Sequence, residues 1–170
     1  MDISAELVYT CGLLFDGTTR CWGQGYGNVP VAVRGLAGAV AISTGEEHAC
    51  AVLSDGTVGC WGNNESGQLG DGTTEASDVP VAVSGLTGAV AISAGYTHTC
   101  ALFSDGTAGC WGDNECGQLG DRTYTNRSIP VSVWALTGAV AVSAGGCHTC
   151  TVLSDGTVAC VGLNGSGQLG

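Results

Sequence analysis

Ten cysteines and three histidines are the residues of this sequence best suited to chemistry, and their spacing is regular. Eight of the cysteines fall into pairs ten residues apart: Cys11 with Cys21, Cys50 with Cys60, Cys100 with Cys110, and Cys150 with Cys160. A His-x-Cys phrase opens three of these pairs, at His48-Ala49-Cys50, His98-Thr99-Cys100 and His148-Thr149-Cys150. Read as a metal site, each phrase with its second cysteine offers one imidazole and two thiolates. That is one ligand short of the closed tetrahedral set that zinc takes, and Cys-x-x-Cys spacing is missing. No metal and no cofactor are expected. Each histidine stands two positions before its cysteine, on the same strand face, and is assigned a structural hydrogen-bonding part.

Other catalytic groupings find little support. Ser54-Asp55, Ser104-Asp105 and Ser154-Asp155 recur at equivalent places, where serine and aspartate stabilise bends. There is no nucleophile elbow, phosphate loop, His-Glu-x-x-His or unique carboxylate pair. The acidic loop Asp71 to Asp78 lacks a recognised calcium spacing. The chain is expected not to be an enzyme.

The cysteine spacing makes sense on a hairpin. Cys50-Ala51-Val52-Leu53 and Thr57-Val58-Gly59-Cys60-Trp61 are short apolar runs flanking Ser54-Asp55-Gly56, which suits a type I turn followed by a left-handed glycine. If Leu53 and Thr57 form the closing hydrogen-bonded pair, alternation along the ladder puts Cys50 opposite Cys60 in a non-hydrogen-bonded pair. The Cα separation there is about 4.5 to 5.5 Å, within disulfide reach. Four cross-strand disulfides are predicted, each contributing roughly 2 to 3 kcal/mol through chain entropy. Cys116 and Cys147 are left over. Because the hairpin returns the chain to its starting end, they lie on one side of adjacent units, as a fifth bridge, as free thiols or as an intermolecular bond.

The hairpin belongs to a repeat of about 50 residues. Its second half reads Gly67-Gln68-Leu69-Gly70-Asp71, a polar loop, Val79-Pro80-Val81-Ala82-Val83, then Gly88 to Ser93, and recurs from Gly117 to Ser143. Between Gly23 and Pro30 the first copy is about 11 residues shorter. The units run approximately 1–37, 38–87, 88–137 and 138–170 in one repeat domain, the first and last incomplete. Runs apolar on both alternating faces suit sheets packed between other sheets, as in stacked or radial blades. Thirty glycines with three prolines and no lysine agree with tight turns in an all-β chain.

The formal net charge is −11, with four arginines, so no cationic stripe exists to meet a phosphate backbone and nucleic acid is not an expected partner. No run reaches the roughly 18 apolar residues of a membrane helix, and the opening Met1-Asp2-Ile3-Ser4 lacks signal-peptide character. Regular cysteine pairing nonetheless favours an oxidising compartment, so the chain reads as a segment of a longer secreted or cell-surface protein.

The phrase from His98 to Gly120, His-Thr-Cys-Ala-Leu-x-Ser-Asp-Gly-Thr-x-x-Cys-Trp-Gly-x-Asn-x-x-Gly-Gln-Leu-Gly, resembles the repeat of the regulator of chromosome condensation family. The resemblance covers essentially the whole chain and implies a β-propeller of four-stranded blades, seven in a complete ring. Its paired cysteines resemble those of bacterial, extracytoplasmic members. Four hairpin units with three connectors imply a partial set of about four blades, whose exposed ends would favour association of copies to complete a circle. The eponymous member resembles a nucleotide exchange factor for a small GTPase that binds chromatin, and a bacterial relative resembles an inhibitor clamping a β-lactamase; neither activity transfers by fold.

Positions that differ between equivalent units are where specificity can be written. The pairs before each hairpin (Glu46-Glu47, Tyr96-Thr97, Gly146-Cys147) and the loops after it (from Asn63 and from Asp113) are expected on one face. Glu46, Glu47, Tyr96, Asn64, Glu65, Asn114 and Glu115 are the contact candidates. Tyr124, Arg127 and Trp134 join them as large side chains where other units have small ones. The expected function is a non-catalytic module for protein–protein binding, self-associating to complete a ring. Alternatives are a structural segment without a specific partner, or an inhibitor of a secreted enzyme.

Overall fold

The structure, a computed structural model, describes all residues 1–170 as fifteen strands with no helix. They form four sheets, each an antiparallel meander in chain order. Blade 1 holds β1 (Asp2–Ala5), β2 (Tyr9–Leu13), β3 (Thr19–Gly23) and β4 (Gly27–Ala32). Blade 2 holds β5 (Ala39–Thr44), β6 (His48–Leu53), β7 (Val58–Gly62) and β8 (Ser77–Ala82). Blade 3 holds β9 (Ala89–Ala94), β10 (His98–Phe103), β11 (Ala108–Gly112) and β12 (Arg127–Ser132). Blade 4 stops at three strands, β13 (Ala139–Ala144), β14 (His148–Leu153) and β15 (Val158–Gly162). The first strands of successive blades pack on one another, and the four sheets make an arc that does not close into a ring.

The hairpins follow from their turn residues. In blade 2 the Leu53 amide donates to the Thr57 carbonyl and the Gly56 amide to the Leu53 carbonyl, with Gly56 at φ 79°. Asp55 Oδ1 accepts from both the amide and the hydroxyl of Thr57, at 2.9 and 2.6 Å. The same three-residue turn recurs at Asp16, Asp105 and Asp155. Alternation from the closing pair puts each cysteine opposite its partner, and four disulfides link Cys11 to Cys21, Cys50 to Cys60, Cys100 to Cys110, and Cys150 to Cys160. Their Cα separations are 4.1 Å, slightly inside the separation anticipated from the ladder.

Apolar positions on both sheet faces become buried between blades. Val52 and Val58 of blade 2, 1% and 2% exposed, pack with Ala89, Ala101 and Trp111 of blade 3 in one cluster. A polar relay crosses the same interface. His48 Nε2 lies 2.8 Å from Thr99 Oγ1, and the Thr99 hydroxyl donates to the Gln68 carbonyl at 3.0 Å. Threonine has one hydroxyl hydrogen, so Nε2 of His48 carries the proton shared with Thr99 and Nδ1 is bare. Between blades 3 and 4, His98, Thr149 and the Gln118 carbonyl repeat the relay at 2.9 and 2.8 Å. A second rung joins the first strands: Ala94 N donates to Ser43 Oγ and Ala144 N to Ser93 Oγ.

The relay is built for neutral imidazole. Nδ1 of His48 and of His98 has no hydrogen-bond partner, so a second proton would be buried unpaired. Burial, reinforced by the nearby His98, lowers the His48 pKa from 6.5 to about 3. Burial lowers that of His98 to about 4, with Asp113 opposing and His148 adding to the shift. Below pH 6.5 the unfolded chain protonates both residues while the folded chain resists. Stability is therefore full above pH 6.5 and is expected to fall as the pH drops towards 4, by up to about 1.4 kcal/mol per pH unit for each histidine. The turn aspartates Asp16, Asp55, Asp105 and Asp155, held low chiefly by their threonine hydrogen bonds, add a separate loss only below about pH 3.8. Urea midpoints measured from pH 8 to 4 should show this slope, with a smaller one in His48→Gln.

Candidate functional site

The three joints are not equivalent, and the difference opens a groove. Between blades 2 and 3 the segment Gly67 to Gly70 fills the interface: Leu69 is fully buried, and Trp111 Nε1 donates to the Gln68 carbonyl at 2.8 Å. Gly70 is required there, because it sits at φ 72° and a β-carbon on it would stand 2.6 Å from Trp111 Nε1. Leu119, fully buried, plugs the joint between blades 3 and 4, where Val161 stands in place of the tryptophan and no indole bond is made. Blade 1 has the shortened connection, with Tyr26 between Gly23 and Gly27 and no Gln-Leu-Gly plug.

Compensating residues hold that first joint together. Tyr9 stands at the relay histidine's position and Ala49 at the threonine's, so the longer side chain faces the smaller one. The Tyr9 hydroxyl donates past Ala49 to the His48 carbonyl. Trp61 Nε1, deprived of a glutamine carbonyl, donates to the Tyr26 hydroxyl at 2.7 Å. The Tyr9 and Tyr26 rings lie 5.8 Å apart at an interplanar angle of 35°. Burial is the main cause that raises both phenols above their ordinary pKa.

What remains is an open groove of about 690 Å³ between blades 1 and 2. Tyr9, Tyr26, Val33 and Trp61 line its apolar part; Glu46, Glu47 and Asp78 bring carboxylates against a single cation, Arg34. Chemically it offers the partly exposed Tyr26 ring over buried Tyr9 and Trp61, with an acidic edge. Of these residues only Glu46 and Glu47 were expected from the sequence. The short Gly23-to-Pro30 connection was the available signal for the rest.

Backbone hydrogen bonds place the two expected loop sets on one face. Asn63 N donates to the Glu47 carbonyl, Asp113 N to the Thr97 carbonyl and Leu163 N to the Cys147 carbonyl. Glu47, Tyr96, Glu65 and Glu115 are exposed there, and Glu46 partly so. Asn64 and Asn114 depart from the expectation: both are fully buried, each donating through its amide into its own loop and accepting the amide of Leu69 or Leu119. They shape the loops and present nothing to a partner. Arg127 is tied to Asp121 through Nε and Nη2 at 3.0 and 2.8 Å. Burial opposes the Asp121 charge, but the Thr123 and Arg127 hydrogen bonds outweigh it and hold that carboxyl below its usual range. Tyr124 is exposed beside Gly117.

Trp134 lies elsewhere, beyond the end of β12 at the hairpin-turn end of the blade, 61% exposed and with the Arg122 guanidinium 4.1 Å from its ring centroid. Arg122 itself and Ala135, next to Trp134, are the two non-glycine residues with positive φ, where blade 2 has Gly72 and Gly85. Cys116 and Cys147 are partly buried thiols of adjacent blades, and burial together with the Cys116 neighbour raises the Cys147 pKa.

Two descriptions of the Regulator of chromosome condensation (RCC1) repeat match this sequence, one over residues 55–102 and 105–152, the other over 39–68, 89–118 and 139–168. The chain belongs to the RCC1 repeat family. Similar solved structures include yeast RCC1 (Prp20) with Kap60 bound, at TM-score 0.82 and 21% identity over 96% of this chain and 43% of that one. Human WBSCR16 gives 0.86 and 18% over 95% and 46%. Prp20p of Saccharomyces cerevisiae, described with its binding to Gsp1p and histones, gives 0.82 and 22% over 95% and 44%. These likenesses establish the RCC1-type β-propeller fold, and the chain spans less than half the length of these relatives. No curated protein matches. Among the joints of this chain, the Tyr26–Trp61 bond substitutes for the missing plug. Tyr26→Phe is expected to cost about 1 to 2 kcal/mol, read as a lower urea midpoint, by stranding a buried indole N–H.

Proposed function

We propose that this chain is a non-catalytic propeller module that binds protein, using the groove between blades 1 and 2 and its acidic edge as the primary contact. The observation that carries the reading is that one joint lacks the plug filling the other two, leaving a groove in which Tyr26 is partly exposed beside Glu46, Glu47 and Asp78. Aromatic walls with a few fixed charges suit an anchor side chain from a partner. The charge selects a basic one: an arginine at the tip of a partner's loop can place its aliphatic stem on Tyr26 and its guanidinium at the carboxylates.

Glu65, Tyr96, Glu115 and Tyr124 extend this surface along the same face, and Trp134 with Arg122 forms a separate exposed anchor. Structurally similar yeast RCC1 is known with Kap60 bound, which supports protein binding as a use of such a scaffold. The four cross-strand disulfides support a place in an oxidising compartment, at the cell surface or secreted.

Tryptophan fluorescence titrated with cyclic peptides carrying an arginine beside an aromatic residue tests the groove. Saturable binding is expected, weakened by salt and reduced at least about tenfold in the Glu46→Lys, Glu47→Lys double variant. Absent binding, or binding indifferent to that reversal, would refute the reading.

A further inference from the structure

The joint between blades 3 and 4 makes one hydrogen bond fewer than its neighbour and carries two cysteines. Between blades 2 and 3 the plug carbonyl of Gln68 accepts both the Thr99 hydroxyl and the Trp111 indole. Its counterpart, the Gln118 carbonyl, accepts the Thr149 hydroxyl at 2.8 Å, and Val161 stands where the second donor would be. Apolar bulk is lost as well, since Trp111 is fully buried and valine is much smaller.

Across this seam, and no other, free cysteines stand on both sides. Cys116 occupies the position of Ser66 and Ser166, in the loop that carries the plug. Cys147 occupies that of Glu47 and Thr97, immediately before the relay strand. Each lies two residues from a member of the relay, Cys116 from Gln118 and Cys147 from Thr149, and the bond between those two holds the cysteine backbones on one side of the seam. Both segments are fixed. Cys116 N donates to Gln118 Oε1 and Gln118 Nε2 to Asp113 Oδ2, at 2.9 and 2.8 Å, while the Cys147 carbonyl accepts the Leu163 amide at 2.8 Å. Burial first, then the Cys116 side chain, then the charges of Asp113 and Glu115 raise the Cys147 pKa. Those three residues belong to one loop of blade 3, so the Cys147 thiol faces that loop across the seam.

We propose that Cys116 and Cys147 form a fifth disulfide, the one covalent link between blades, closed by exchange with a low-molecular-weight disulfide and taking the place of the missing indole bond. One thiol gives up its proton and attacks a sulfur of the donor, whose S–S bond breaks to release a first thiol. The second cysteine then gives up its proton and displaces the other half of the donor from the mixed disulfide. In sum the Sγ–Sγ bond forms, and the donor takes two electrons and two protons and leaves as two thiols. The four hairpin cystines each join two strands of one sheet, whereas this bridge pins the relay strand of blade 4 to the plug loop of blade 3.

The sequence supplies a direct assay. With no lysine, trypsin cuts only after the arginines, so Cys116 falls in residues 35–122 and Cys147 in residues 128–170. Each hairpin cystine of blades 2 to 4 stays inside one of these fragments. The native chain is incubated in mixtures of reduced and oxidised glutathione, its remaining thiols are alkylated, and the denatured, unreduced protein is digested for mass spectrometry. Joined fragments are expected as the oxidised share rises, separating on reduction and in Cys147→Ser. Separate fragments at every ratio, with both thiols alkylated or capped by glutathione, would overturn the proposal, as would joining only in chains of doubled mass before digestion. The part played at the seam has its own readout. Relative to the Cys116→Ser, Cys147→Ser double variant, amide exchange in β13 to β15 should be at least about tenfold slower in the bridged protein, with β5 to β8 unchanged. Equal exchange in the two proteins would refute that part. Binding of the arginine peptides concerns the groove between blades 1 and 2 and is measured separately, so loss of the bridge leaves that reading standing.

Discussion

A histidine of one blade holds a threonine of the next, and that threonine holds a carbonyl of the first. The seams between blades 2, 3 and 4 depend on this exchange across the sheet faces. A blade of four short strands buries little by itself, and its flat faces are apolar on both sides, so it is stable only when flanked. Apolar packing supplies the attraction but tolerates sliding. The relay fixes register because a buried hydroxyl with one hydrogen satisfies His48 Nε2 and the Gln68 carbonyl in only one arrangement. Glycine follows from the same constraint: Gly70 lies against Trp111 because the plug must pass between two blades already in contact.

The groove is a consequence of the same rule. Where the plug is cut short, the Tyr26 hydroxyl takes over the indole bond that the plug carbonyl accepts elsewhere, the Tyr9 hydroxyl ties blade 1 to the His48 carbonyl, and a groove runs beside them. The cystines play a different part. Each staples two strands of one blade, in blades 2 to 4 fixing the hairpin that carries the histidine, but none spans a joint. Stiff blades with hydrogen-bonded seams follow from that division.

Much of this was legible in the sequence because it is local. The ten-residue cysteine spacing, the Ser-Asp-Gly turn and alternation along a ladder are enough to draw the hairpin, and the hairpin places the loops around Glu47 and Asn63 on one face. Burial of Asn64 and Asn114 was not drawn from the same text, since an asparagine in a polar loop looks exposed until its amide is seen meeting the carbonyls around it. Asparagine recurs at Asn164, and that constancy was the overlooked sign of a structural part. The groove was half legible. The short connection was plain, but its effect depends on knowing that Leu69 lies between blades, which is a long-range fact.

A double-mutant cycle on His98 and Thr149, with His98→Ala, Thr149→Val and their combination followed by urea denaturation at pH 7.5, tests the relay most directly. Coupling of about 1 kcal/mol or more is expected for this pair, and none within about 0.3 to 0.5 kcal/mol for His48 with Thr149, which do not touch. Additive losses for His98 and Thr149 would mean that the seam is held by apolar packing alone, and would contradict the account.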